Sequence, residues 1–294
     1  KEIDDVAIAK PLVKYSIQIT DGERIGEFVE RAWQAATSGY PGPVHLSLPV
    51  DIMFSSFEED AGRDERPWVR HQTRSQRAWP EPKRLTDILN IVENSERPVI
   101  IGGHGIWWSH SEKSLAEVGE KLKIPIFNVP YHTKLLGEDC SANMGLADFH
   151  QYHPSKMAIH EADTVIMIGG RLDNQMNFGN PPFIPKDTKL ICVNGSSEEL
   201  EYNFAADEIL LSHPAAFLDA MTSINRKWEN WFELQTERRK KWVEDWENHL
   251  LKEEIEDSKS NRKMHPLQLG VDIISEMNDE DWLVFDGGNT HFWN

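Results

Sequence analysis

Arg97-Pro98-Val99-Ile100-Ile101-Gly102-Gly103-His104-Gly105 is a short apolar run that breaks into a glycine turn. Two later stretches repeat the design: Asp163-Thr164-Val165-Ile166-Met167-Ile168-Gly169-Gly170-Arg171-Leu172-Asp173 and Lys189-Leu190-Ile191-Cys192-Val193-Asn194-Gly195. Each run is apolar at consecutive rather than alternating positions, the pattern of a strand covered on both faces of a parallel sheet. Helical periodicity fills the gaps, so the pattern predicts an α/β fold with a doubly wound, Rossmann-like parallel sheet. In order it reads strand 98–101, helix 111–122, strand 124–129, helix 153–161, strand 163–168, a long loop, strand 189–193, strand 208–211 and helix 214–224. Ligands of such sheets sit where the carboxyl ends of the strands turn into loops. Three glycine-bearing turns at three such ends point to a nucleotide-binding domain.

Upstream, Thr20 or Asp21 can cap a helix whose apolar positions Ile25, Phe28, Val29, Ala32, Trp33 and Ala36 recur at helical spacing, with Gly39 ending it. Tyr40-Pro41-Gly42-Pro43 then turns into a strand that stops at Pro49. Residues 55–83 are charged and proline-bearing, a linker over the surface, and a helix follows with Leu85, Ile88, Leu89 and Val92 on one face. Downstream, residues 225–252 read as a helix carrying Trp228, Trp231, Trp242 and Trp246 on one stripe, which should pack on a neighbouring domain. Residues 253–263 are a polar linker, 267–277 a helix, and Trp282-Leu283-Val284-Phe285 a strand running into Asp286-Gly287-Gly288-Asn289-Thr290-His291.

Composition narrows the partners. Among 294 residues, 49 acidic against 31 basic side chains leave a net charge of −18, which repels phosphate backbones and argues against nucleic acid. A small anion remains within reach of backbone N–H groups and helix N-termini. Cys140 and Cys192 are far apart, without metal-ligand spacing, and read as reduced thiols. No apolar run approaches membrane-spanning length and no signal peptide stands at the start, so no membrane partner and a cytoplasmic location are expected. Both ends read as breaks in a longer chain.

The double glycine of Asp286-Gly287-Gly288-Asn289 has a physical use: without a Cβ, two backbone N–H groups can approach phosphate oxygens. Asn289, Thr290 and His291 add side-chain donors. The competing reading of that corner is a plain tight turn. His132, His150, His153 and His160 have spacings that fit no metal site and are expected on the surface or in loops.

The blocks Gly42-Pro43-Val44-His45-Leu46-Ser47-Leu48-Pro49-Val50-Asp51, Arg97–Gly103, Ile124-Pro125-Ile126, Ala162–Asp173 and Asp286–Asn289, in that order, resemble the thiamine-diphosphate-dependent decarboxylase and acetolactate synthase superfamily. Acetolactate synthases, 2-hydroxyacyl-CoA lyases, oxalyl-CoA decarboxylases and benzaldehyde lyase share this layout. The resemblance implies that residues 1–54 end a pyrimidine-binding domain, 55–83 are a linker and 84–225 the central domain. It makes 226–263 a connecting helix and linker, and 264–294 the start of a diphosphate-binding domain, so partial thiamine-diphosphate-binding domains flank the sheet. It implies thiamine diphosphate held through Gly287, Gly288, Asn289, Thr290 and His291. The family's activating glutamate and its Mg2+ ligands would lie outside this chain, which has no Gly-Asp-Gly and should be inactive alone.

In the central domain the resemblance turns Gly103, His104, Gly105, Gly170, Arg171, Asp173 and Asn194 toward a bound nucleotide, with Arg171 against a pyrophosphate and Ser109 bonding to it. FAD, ADP and an empty site all stay open. Two departures bear on that: Asn194-Gly195 stands where relatives carry a ribose-gripping acid, and Ser212-His213 replaces a Gly-Asp before the last helix. The implied activity is that of a lyase or carboligase on 2-keto acids or acyl-CoA substrates, in a homodimer or homotetramer. The alternative is a non-catalytic Rossmann-like module holding NAD or an adenine nucleotide.

Overall fold

The computed structural model describes residues 3–56, 77–130, 135–137, 139–149, 154–200, 202–245, 269, 272–273, 275–278 and 281–283. The expectations for 57–76, for Trp246, for the strand beyond 283 and for the glycine corner at 286–291 fall outside them.

The first 56 residues carry α1 (Asp5–Ala9), β1 (Tyr15–Gln18), α2 (Ile25–Thr37), β2 (Val44–Ser47) and α3 (Val50–Met53). β1 and β2 pair in parallel from Tyr15 opposite Val44 to Gln18 opposite Ser47. The Asp21 carboxylate accepts from the Glu23 N–H to start the turn into α2. Gly39, at φ +59°, lets the chain leave the helix in the left-handed region that a Cβ disfavours.

The six-stranded sheet follows α4 (Pro82–Asn94). Its strands are β3 (Pro98–Gly102), β4 (Ile126–Asn128), β5 (Asn143–Leu146), β6 (Thr164–Ile168), β7 (Lys189–Asn194) and β8 (Glu208–Leu211). They lie in the order β5-β4-β3-β6-β7-β8, every pair parallel. Counted from β3 as the first, that is 3-2-1-4-5-6, the doubly wound order whose direction reverses between the first and fourth strands. The reversal falls between β3 and β6. Val99, Ile100, Ile101, Val165, Ile166 and Ile168 are all fully buried, as strands covered on both faces require.

Helices α5 (His104–Trp108), α6 (Glu112–Leu122), α7 (Pro154–Glu161), α8 (Pro214–Met221) and α9 (Glu229–Asp245) complete the layers. α6 packs with α8, and α7 with α9. A Cβ on Gly119 of α6 would come within 2.7 Å of the Ala142 Cβ, so the glycine sets how closely this helix lies on β4 and the start of β5.

Three expectations are corrected. β5 was not expected, because Asn143-Met144-Gly145-Leu146 carries two strand-poor residues in four. Residues 104–108 form a helical turn of their own, ahead of a helix starting at Glu112. Trp228 and Trp231, expected to face a neighbouring domain, pack into the core of this same sheet. Trp228 and Trp231 are 3% and 7% exposed in its core, and Trp242 is half-buried. The long loop after β6 is also anchored: Met176 and Phe183 are fully buried, and the Phe149 N–H donates to the Gln175 carbonyl.

Candidate nucleotide crevice

The reversal between β3 and β6 brings two glycine turns face to face, and they touch. The Gly103 N–H donates to the Ile168 carbonyl at 2.8 Å, and the Gly105 N–H to the Gly169 carbonyl at 2.7 Å. A Cβ on Gly105 would stand 2.8 Å from the Gly169 Cα, and one on Gly103 would run into the backbone of Gly170. Gly169 has φ +66°, which turns the chain back beneath the first loop. The resemblance implies that Gly103 and Gly105 face a nucleotide. In the structure they bond the opposite turn, so the glycines serve backbone contact.

His104 follows at the start of α5. Its ring stacks on Trp108 at 5.9 Å with an 18° interplanar angle and meets the edge of Trp107 at 5.4 Å. Burial holds its pKa below the usual histidine value. Ser109, expected to bond a pyrophosphate, donates its hydroxyl to the Ile106 carbonyl and shares a hydrogen bond with Ser111.

Arg171 has a partner that sequence reasoning missed. Its Nε and Nη2 both donate to the Glu199 carboxylate, the second at 2.5 Å. The Glu199 side chain is only 3% exposed. Tyr40 and Tyr202 place their rings 4.7 and 4.4 Å from the guanidinium carbon, within cation–π range. The hydrogen bond to Glu199, together with the charge of that carboxylate, holds the arginine pKa above its ordinary value, against desolvation. Glu199 stands five residues beyond Asn194, in the Ser197–Glu199 turn, and no spacing in the sequence links it to Arg171.

Asp173 accepts from the Gln175 N–H at 3.0 Å and caps the turn at 174–179. Asn194 is 8% exposed, and its Oδ1 accepts from the Ser196 N–H at 3.1 Å. Gly170, Arg171, Asp173 and Asn194 therefore lie along the carboxyl edge, but the side chains of Arg171, Asp173 and Asn194 bond within the chain. Asn128 was also missed. It is 5% exposed at the end of β4, donates its amide to Asn143 Oδ1 at 3.3 Å and to the Gly145 carbonyl at 3.4 Å, and leaves Oδ1 unpaired. That orphan is an acceptor, the wrong polarity for an anion. The residues of the crevice do not fit the pyrophosphate of FAD or ADP.

Among the described residues the remaining histidines form no metal centre. His160 bonds the Pro182 carbonyl through Nδ1 at 2.9 Å, while His132, His150 and His153 lie outside the described residues. Among the described residues no group of three His, Cys, Asp or Glu could hold a metal ion, and no helix is long and apolar enough to cross a membrane. Cys140 and Cys192 are both buried free thiols.

A profile of the family described as "Thiamine pyrophosphate enzyme, central domain" matches residues 85–221, which hold the six-stranded sheet and helices α5 to α8. Those residues are similar to the central domain of the thiamine pyrophosphate enzymes. Around that central domain, similarity runs further along the chain. The acetolactate synthase large subunit of Lactococcus lactis is 29% identical over 244 residues, covering 82% of this chain and 42% of the relative. The 2-hydroxyacyl-CoA lyase of Arabidopsis thaliana is 28% identical, covering 68% of this chain and 34% of that protein. The oxalyl-CoA decarboxylase of Escherichia coli K12 is 26% identical, covering 69% and 34%. The chain thus spans less than half the length of these relatives. Benzoylformate decarboxylase from Polynucleobacter necessarius shares the fold with a TM-score of 0.64 at 22% identity, over 76% of this chain and 41% of its own.

Proposed function

We propose that this chain is part of a thiamine-diphosphate-dependent lyase or carboligase, acetolactate-synthase-like, that makes or breaks a carbon–carbon bond in 2-keto or 2-hydroxyacyl substrates. One observation carries the reading: a thiamine pyrophosphate enzyme central domain at 85–221, inside a longer similarity to synthases, lyases and decarboxylases of this kind. When bound, the cofactor supplies a carbon nucleophile and an electron sink for the bond that breaks. This chain's own part is placement. The N–H groups of Gly287 and Gly288, with the side chains of Asn289, Thr290 and His291, would hold the diphosphate, and Mg2+ would take its ligands from residues outside the chain.

The reading extends to a homodimer or homotetramer, a 2-keto acid or acyl-CoA substrate, no nucleic acid and no membrane partner. A cytoplasmic location accords with two buried free thiols. The competing module, which would hold NAD or an adenine nucleotide on the glycine turns of the central sheet, loses support because those N–H groups are already bonded.

The test is calorimetry on the intact protein that carries this chain, titrated with thiamine diphosphate and Mg2+. Binding is expected, and Gly287→Val should abolish it by setting a branched side chain where the diphosphate lies. Unchanged affinity in that variant would remove the basis for the assignment.

A further inference from the structure

We infer that the chain has filled the anion position of its own nucleotide crevice with Glu199, so that the central domain holds no FAD or ADP and Arg171 serves as a seam residue. The inference rests on residues 85–221 being a thiamine pyrophosphate enzyme central domain, but not on the activity proposed for the whole protein.

A pyrophosphate at the reversal of a doubly wound sheet needs N–H groups from the first turn and a cation to meet its charge. The N–H groups of Gly103 and Gly105 are bonded to Ile168 and Gly169, and the two turns meet backbone to backbone, which leaves Arg171 as the group that could meet an anion here. The arginine of the second turn is bonded through two nitrogens to both oxygens of a carboxylate, the planar arrangement it would also offer a phosphate. A ligand could take Arg171 only by leaving the Glu199 side chain, 3% exposed, buried without its counter-charge. The ribose end fares no better, since Asn194 Oδ1 is engaged by the Ser196 N–H.

The pair has a second consequence. Tyr40 lies in the connection between α2 and β2, Tyr202 follows the Glu199 turn, and the guanidinium sits within reach of both rings. The Gly39 backbone lies beside Ser196 of the same turn. Charge that would hold a ligand in an open crevice here joins the first 56 residues to the central sheet.

The test uses the intact protein with FAD, ADP and inorganic pyrophosphate as probes. The wild type is expected to purify without flavin absorbance, and millimolar ADP or FAD should leave its Tm unchanged. Glu199→Gln removes the competing charge and should raise affinity for pyrophosphate at least tenfold. Flavin in the purified wild type, or ADP binding at micromolar Kd, would overturn the inference. So would a folded Glu199→Gln protein no better at binding pyrophosphate. If that variant does not fold, the wild-type titrations still decide. Thiamine diphosphate binding, measured in the same preparations, should be equal in wild type and variant, and its absence from both would count against the proposed activity alone.

Discussion

The indole N–H of Trp231 donates to the carbonyl oxygen of Pro98, the first residue of β3, at 2.9 Å. Three residues earlier in each segment, Trp228 does the same for Ser95 at 2.8 Å. The repeat of three along the helix approach matches the repeat of three along the chain entering the sheet. α9 is thereby fastened to the amino-terminal edge of the central sheet through two otherwise interior carbonyls. Replacing Trp231 with Phe keeps most of the apolar burial but strands the Pro98 oxygen, an expected loss of about 1–3 kcal/mol. Trp231→Ala should cost about 3–5 kcal/mol, because the ring volume goes too. Urea unfolding followed by circular dichroism separates the two, and a Phe variant with the wild-type midpoint would show that the bond contributes nothing.

Glycine content alone does not say which glycines are needed, but the geometry ranks them. Gly105 lies in helical backbone with no positive φ, so its constraint is proximity: an added Cβ meets the Gly169 Cα at 2.8 Å and its carbonyl oxygen at 3.0 Å. Backbone cannot rotate away as a flexible side chain would, and Gly105→Ala is expected to lose about 1–3 kcal/mol through overpacking. Gly195 is the contrast, with nothing nearer than 4.0 Å to an added Cβ. Gly195→Ala should stay within about 0.5 kcal/mol of wild type. Thermal melts of the two proteins check the ranking, and equal melting points would mean that the turns part at little cost.

Those positions also show what could be read in advance. Continuous apolar runs at β3, β6 and β7 identify a parallel sheet without ambiguity, because a strand covered on both faces tolerates no polar alternation. The missed strand, β5, is an edge strand of four residues, and edge strands carry little of the apolar signal. Gly103, Gly105 and Gly170 meet in the fold, but a glycine that admits a phosphate and one that admits another backbone look alike in sequence. Arg171 failed to declare its partner for a similar reason. The acid that meets it lies in a turn 28 residues away, where no local spacing rule reaches. Tyr40 is more distant still, and only the fold shows that it borders the same guanidinium.

Asp163 ties the amino-terminal ends of β3 and β6 together. Its carboxylate accepts from the Ser95 hydroxyl, from the Glu96 N–H at 2.7 Å and from the Arg97 N–H at 3.0 Å, and the Arg97 side chain closes the corner on the Glu161 carbonyl at 2.6 Å. Partial burial by itself would raise the carboxyl pKa, but these donors and the Arg97 charge prevail and hold it below the ordinary aspartate value. A folded-state pKa below the unfolded one means that the unfolded chain binds the proton first as pH falls. The contribution to stability is therefore complete above the unfolded value, near 4, and is lost as pH falls through the folded one. Asp163→Asn removes the charge and turns one acceptor into a donor facing donors, with an expected cost near neutral pH of about 2–3 kcal/mol. The difference between wild type and variant should then shrink as the pH is lowered from 5 toward 3, since wild type alone loses this term. Denaturant midpoints for both proteins across that range measure it, and a constant difference would show that the corner is held by packing and not by the ionised carboxylate.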